Sequence, residues 1–304
     1  MQLDFAAAGK IAVIGDIMLD EYVWGEVTRI SPEAPVPVVR MLRKSTTLGG
    51  AGNVANNIIS LGGQAYLYGV VGYDVNGDQI IKMAPAGLII KDSSRPTTIK
   101  TRIIAHSQHV ARVDFEETVP LNEEIVAHII SALRQEDFKA IIVADYGKGV
   151  ITPRLMFDIF RFARSKDIIV AIDPVTKNYE LYNGATIITP NLSEFMPNLK
   201  EKCDILLLTK GAEGITLITR EGSIDIPTVA KKVYDVSGAG DTVIATFVLS
   251  FISGMPIKEA AILANLAAGL VVEEVGTTTI TLVKLIEAIK HSHEKVGLRS
   301  CSCE

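Results

Sequence analysis

The chain has 304 residues, 48% of them hydrophobic, enough to bury a large core with room left for a second small module. Its formal net charge of -5 argues against nucleic acid or an anionic membrane as the main partner, while local cationic pockets stay open. Only three cysteines occur, Cys203, Cys301 and Cys303, two of them in the last four residues, so no disulfide framework is implied and a reducing cytoplasm is the expected setting. The N-terminus lacks a basic segment followed by an apolar core and a small-residue cleavage site. The longest apolar stretch, 260–272, contains Asn265 and is too short to span a bilayer, so a soluble protein is expected.

In chain order, short β-branched runs at 10–15, 65–71, 140–144, 168–172, 186–189 and 205–209 alternate with longer helical patterns. That rhythm predicts an α/β fold with a mostly parallel sheet covered by helices. Two segments break it. Residues 21–40 are extended and proline-rich, with Pro32, Pro35 and Pro37, and residues 97–115 alternate like a pair of exposed strands around His106-Ser107-Gln108-His109. Both read as strands of a small lid sheet, with ordinary surface hairpins as the alternative. In parallel sheets, functional side chains gather beyond the carboxyl ends of the strands. Gly15-Asp16, Asp145-Tyr146-Gly147-Lys148, Asp173-Pro174, Asn191 and Thr209-Lys210-Gly211 all fall there, so one crevice can collect them.

The most informative segment comes late. Asp235-Val236-Ser237-Gly238-Ala239-Gly240-Asp241 places a glycine-rich turn and a carboxylate directly before an apolar stretch, 242–252, that reads as a buried helix. Gly238 and Gly240 let backbone N–H groups converge, and the helix start adds partial positive charge suited to an anion. Asp241, in the first turn, is placed to accept a proton from an acceptor hydroxyl, the base role of a phosphoryl-transfer enzyme. Taken alone, the same four residues from Gly238 also make an ordinary helix-start turn, with Asp241 serving only the helix dipole. No Walker A sequence, nucleophile-elbow serine or His-Glu-x-x-His helix occurs, and Gly15-Asp16 lacks the Gly-x-Gly-x-x-Gly continuation of a dinucleotide site.

Three motifs in this order, Gly49-Gly50-Ala51-Gly52-Asn53-Val54-Ala55, Asn191-x-x-Glu194 and the 235–241 signature, resemble the ribokinase (PfkB) family of sugar kinases over roughly residues 10–285. Within that family, Gly15-Asp16-Ile17-Met18-Leu19-Asp20, the stretch 29–38, Asp145 to Gly149, Thr189 to Phe195 and Asn265 to Gly269 are similar to the heptose 7-phosphate kinases. The resemblance implies a ribokinase-like three-layer α/β/α fold, one kinase domain over 1–304 with lid segments at about 21–40 and 97–115. It implies ATP-dependent phosphorylation of the anomeric hydroxyl of D-glycero-β-D-manno-heptose 7-phosphate to the 1,7-bisphosphate, and a separate adenylyltransferase acting afterwards. Mg²⁺, a possible monovalent cation, a cytoplasmic setting and a homodimer joined through the lid strands come with it. So do a sugar phosphate and ATP as ligands, and no nucleic acid or membrane partner.

Residue by residue, the resemblance makes Asp241 the base and the amides of Gly238, Ala239 and Gly240 the anion hole. Asp20, Gly49, Gly50 and Asn53 hold sugar hydroxyls, chemistry that a carboxylate and a carboxamide suit; a helix cap is the alternative for Asn53. Asn191 lies near the phosphates, and Glu194 orders metal-bound water; a capped helix start is their alternative. Thr209, Gly211 and Gly214 line the nucleotide, and Asn265 sits beside the adenine, or otherwise serves as a helix-packing amide. A substrate already carrying phosphate needs cations at the far end of the sugar site. Arg102, Arg112 and Lys148 are the candidates, against a reading as solvated surface charges. Stretches 79–95 and 195–208 are short for the family, and Lys177 stands where another loop is usual. A kinase for another sugar or nucleoside, or a sugar- or nucleotide-binding protein without catalysis, are the rival readings.

Overall fold

Alternation along the first strand sets the layering. In β1 (Lys10–Gly15), Ile11 and Val13 join one apolar core and Ala12 and Ile14 another, and all four are fully buried. A strand sealed on both faces is the mark of a sheet with helices above and below. The computed structural model describes residues 4–106, 108–228, 234–274 and 276–297.

From β1 the chain continues through β2 (Ile17–Ile30), β3 (Pro37–Gly50), α1 (Ala51–Ser60), β4 (Gln64–Gly72), α2 (Val75–Met83), β5 (Gly87–Asp92), β6 (Thr98–Ala105), β7 (Gln108–Phe115), α3 (Glu123–Leu133) and β8 (Phe138–Ala144). It then forms α4 (Pro153–Lys166), β9 (Ile169–Asp173), β10 (Ala185–Ile188), β11 (Cys203–Thr209), the antiparallel pair β12 (Ile215–Thr219) and β13 (Gly222–Ile226), and the helices α5 (Ala239–Ile252), α6 (Ile257–Val271) and α7 (Leu282–Gly297). Among the described residues the main sheet runs β13-β12-β11-β10-β9-β8-β1-β4-β5, parallel from β11 through β5. Helices α1, α5 and α6 close one face around Val54, Phe247 and Leu263; α3 and α4 close the other around Ile129 and Ile159. The fold is therefore a ribokinase-like α/β/α arrangement with a smaller second sheet.

Local chemistry starts the helices where the sequence allows. Asn122 accepts from the Ile125 amide at 2.8 Å, and Thr152 accepts from Leu155 at 3.2 Å with Pro153 next to it. The strands named from sequence match β1, β4 and β8 to β11 to within about two residues, the usual scatter of element ends.

The second sheet runs β3-β2-β6-β7, with β2 and β6 parallel and the outer pairs antiparallel. Strands β6 and β7 fall within the expected 97–115, whereas β2 and β3 exceed the expected 21–40. β2 leaves the end of β1 almost at once and β3 runs straight into α1, so 21–40 is only the distal half of this hairpin. The prolines mark its tip because proline cannot donate to a strand ladder. The short 79–95 stretch still holds α2 and the edge strand β5, whereas 195–208 has only a 3-10 turn at Pro197–Glu201 before β11. Among the described residues no helix is long and apolar enough to cross a membrane. Cys203 is half-buried and burial pushes its thiol up to about 12, while Cys301 and Cys303 lie outside the described residues.

Phe247 is fully buried in α5 and stacks on Phe251 with ring centroids 6.0 Å apart. Phe247→Ala is expected to cost about 3–5 kcal/mol of folding stability. A chemical-denaturation curve followed by circular dichroism checks this, and an unchanged midpoint would contradict the packing described.

Candidate active site

The carboxyl ends of β8 to β11 and the inner face of the lid enclose a cavity of about 1040 Å³. Asp20, Gly50 and Arg102 line it from the lid side, Asn191, Glu194, Thr209 and Gly211 from the strand ends, and Gly238, Ala239, Gly240, Asp241 and Asn265 from the helices. Of the strand-end clusters expected to share one crevice, Tyr146, Asp173, Asn191, Thr209, Lys210 and Gly211 line this space, whereas Gly15, Asp16, Asp145 and Lys148 do not.

Asp241 is a buried carboxylate on its lining. It sits in the first turn of α5, buried, one oxygen accepting from Asn53 Nδ2 at 2.7 Å and the other from the Tyr146 hydroxyl. Burial lifts its pKa to about 6, against the opposing pull of those two hydrogen bonds. Asn53 is not the cap of α1. It lies within the helix, and its backbone and side-chain oxygens both accept from Asn57 Nδ2, at 3.0 and 3.3 Å, while Asn57 Oδ1 accepts from Thr242 in α5. The carboxamide is built into the seam between α1 and α5, behind the cavity lining. Gly238 adopts φ +80°, and a Cβ there would come within 2.6 Å of Asn53 Nδ2, so only glycine lets this helix start beside that amide. The Ala239 N–H already reaches the Val236 carbonyl at 3.3 Å.

At the sugar end, Asp20 is buried between Arg102, at 2.6 Å, and the Thr277 hydroxyl, at 2.9 Å. Gly49 does not line the cavity; a Cβ on it would meet the Asp20 carboxylate at 2.6 Å, so it gives that side chain its room. Behind them, buried Asp16 accepts from the amides of Tyr146, Lys148 and Val150 at 2.8, 3.0 and 3.2 Å and so shapes the loop that delivers Tyr146.

At the opposite end the Asn191 carboxamide accepts from Ser193 and Glu194, and Glu194 returns a bond to the Asn191 amide at 2.9 Å. This is the reciprocal capping arrangement, here around a turn instead of a helix. Burial raises the Glu194 carboxyl above its ordinary range. Asn265 donates to the Pro227 carbonyl at 2.8 Å, so it both lines the cavity and packs its helix.

Besides Gly49 and Asn53, three expected positions lie off the lining. Arg112 is exposed on β7, paired with Asp114 at 2.9 Å, because its strand is the outermost of the lid. Lys148 lies off the lining, its ammonium on Glu116 at 2.5 Å. Gly214 is also outside the lining; its φ of +91° and its fit against the Ile226 carbonyl make it a turn residue before β12. Sequence reasoning passed over Lys100, Tyr146, Asp173 and Thr277 as individual lining residues. Lys100 was within reach, since it sits two residues before Arg102 on one strand and therefore on the same face. Thr277 carries no comparable signal.

Residues 8–284 match the pfkB family of carbohydrate kinases, and the chain belongs to that family. It is 40% identical over 315 residues to the bifunctional protein HldE of Trichlorobacter lovleyi, covering 95% of this chain and 64% of that protein, so it spans less than two thirds of this relative's length. In fold it is similar to phosphofructokinase-2 from Escherichia coli, with a TM-score of 0.75 at 16% identity, covering 93% of this chain and 98% of the other. Ribokinase from Thermotoga maritima gives a TM-score of 0.71 at 18% identity, covering 93% and 99%.

A carboxylate with a pKa lifted to about 6 accepts protons above that pH and stops doing so below it. Turnover is expected to fall about tenfold per pH unit on the acidic side. The Tyr146 hydroxyl stabilises the ionised form, so Tyr146→Phe should move this acidic limb to higher pH. A pH–rate profile of the two proteins measures it, and a limb that stays in place removes Tyr146 from this role.

Proposed function

We propose that this carbohydrate kinase transfers the γ-phosphoryl group of ATP to the anomeric hydroxyl of D-glycero-β-D-manno-heptose 7-phosphate, giving the 1,7-bisphosphate. The observation that carries the reading is Asp241, a buried carboxylate in the first turn of α5, facing a cavity roofed by the lid. The heptose-kinase motifs in the sequence and the 40% identity to the bifunctional HldE protein support the substrate.

In this reading Asp241 takes the proton of the acceptor hydroxyl as its oxygen attacks the γ-phosphorus in line. The bond to the β–γ bridging oxygen breaks, and ADP leaves with that electron pair. The amides of Gly238 and Gly240 and the positive end of α5 face the charge of the group in flight, and the Ala239 N–H would join them on leaving the Val236 carbonyl. Asp20 and Gly50 border the sugar, and Asn53 acts on it through Asp241. Asn191, Thr209, Gly211 and Asn265 border the nucleotide. Among the described residues no group of three or more acidic, His or Cys side chains forms a metal cage. Glu194, a carboxylate on the cavity lining beside Asn191, would hold Mg²⁺ brought in with ATP through an ordered water. When bound, Mg²⁺ offsets phosphate charge. The lid keeps bulk water from the phosphoryl group. Cytoplasmic ATP makes that compartment the site of the reaction.

The test is ADP release with Mg²⁺-ATP across heptose 7-phosphate, fructose 6-phosphate and ribose. Selective turnover of heptose 7-phosphate with a bisphosphate product by mass is expected, and preference for another sugar would overturn the substrate. Asp241→Asn should lose roughly 10²–10⁴-fold in kcat while still binding ATP; near-normal turnover would end the base assignment.

The lid edges support a homodimer as part of the same proposal. β3 and β7 are the outer strands, β7 is exposed along its length, and Met41, Leu42, Val113 and Phe115 present apolar surface there. Light scattering should give twice the chain mass at micromolar concentration, and a monomer throughout that range would reject it.

A further inference from the structure

We propose that Lys100 receives the phosphate group that the sugar already carries, an assignment that rests on the sugar-phosphate reading above. In the register of β2 and β6, Lys100 lies directly beside Asp20, and it lines the cavity from the lid. The other cations around this end are already engaged. Arg102 pairs with Asp20 at 2.6 Å, Lys148 with Glu116 at 2.5 Å and Arg95 with Asp92 at 2.8 Å, and the Lys177 ammonium donates to the Gly147 carbonyl at 2.5 Å. Among the described residues Lys100 enters no comparable pair. Its nearest defined neighbour is the face of Tyr146, with the ammonium 5.7 Å from the ring centroid.

Lys100 is half-buried and makes no direct salt bridge among the described residues; Asp20, Asp114 and Glu116 act on it only from a distance, so a ligand anion would supply the contact charge it lacks. Burial depresses the pKa of Lys100, and the nearby charge of Lys148 adds to this, so an anion in contact with it would be held by a group that gains from the contact. Tyr146 relates this point to the chemistry. Its ring lies under Lys100 and its hydroxyl bonds to Asp241. A ligand meeting both Lys100 and Asp241 therefore offers an anion at one place and a hydroxyl at another, as a sugar phosphorylated away from its reacting carbon does. The preference for a phosphorylated sugar then comes from one lysine on β6, with Arg102 committed to holding Asp20.

The experiment compares the unaltered enzyme with Lys100→Gln and Lys100→Arg on heptose 7-phosphate and on the same heptose without phosphate. Lys100→Gln is expected to lose about ten- to a hundredfold in kcat/KM for the phosphorylated sugar, mostly through KM, because a charged hydrogen bond is removed. Activity on the unphosphorylated heptose and binding of ATP should stay within about twofold, and Lys100→Arg should restore part of the loss. An equal loss on both sugars, carried by kcat, would overturn the proposal and place Lys100 on the phosphoryl group in transit. Should the unaltered protein turn over no sugar phosphate, the reaction assigned above fails separately. Calorimetric titration of heptose 7-phosphate and inorganic phosphate into the unaltered protein and Lys100→Gln then decides. Binding lost in the variant upholds the site, and equal binding, or none to either protein, removes it.

Discussion

A carboxylate is kept out of water at the start of a hydrophobic helix, and the site is organised around that constraint. Asp241 is buried, and its two oxygens are met by Asn53 from α1 and Tyr146 from the loop after β8. Burial outweighs both hydrogen bonds, so the group stays near pKa 6 in place of the ordinary carboxylate range. Removing either donor would leave a charged oxygen unsatisfied in a buried place. The three segments that meet there are therefore tied to one another, and the positions of α1, α5 and the 145–150 loop follow.

The polar groups behind this centre extend the same logic. Asn53, Asn57 and Thr242 form a chain of buried hydrogen bonds across the α1–α5 seam, where apolar packing alone would allow sliding. Asp16 gathers three amides of the loop that carries Tyr146. Asp20 is fixed by Arg102 and Thr277, which ties the lid to the segment following α6. Most of the charge near the sugar end is thus spent on architecture. The charged groups left to face a ligand there are Lys100 and the carboxylates of Asp173 and Asp241.

Much of the fold was readable because its signal is local. Buried parallel strands are runs of β-branched residues, and β1, β4 and β8 to β11 fell where those runs are. The start of α5 was readable for a similar reason, since Gly238 and Asp241 announce a turn and a helix within a few residues. The lid was legible as strands but not in extent, because residues 17–20 and 41–50 continue as ladder partners across the sheet, and pairing between distant segments leaves little trace in either one. Arg102, Arg112 and Lys148 were chosen by charge alone. Each proved to have an acidic partner: Asp20 for Arg102 and Glu116 for Lys148 at separations that no periodicity reveals, and Asp114 for Arg112 two residues on along one face of β7, which strand alternation does show.

By itself, then, the sequence determined the layered α/β plan, the crevice beyond the strand ends, the glycine turn at 238–240 and the helix-start position of Asp241. Backbone conformation, helix starts and strand burial are written in neighbouring residues. The tertiary structure alone decided that Tyr146 and Asn53 share Asp241, and that Lys100 lines the cavity over the Tyr146 ring without a direct acidic partner among the described residues. Those outcomes depend on which charges and donors meet in space, and only folding brings Asn53 and Tyr146, 188 and 95 residues away in the chain, to one carboxylate.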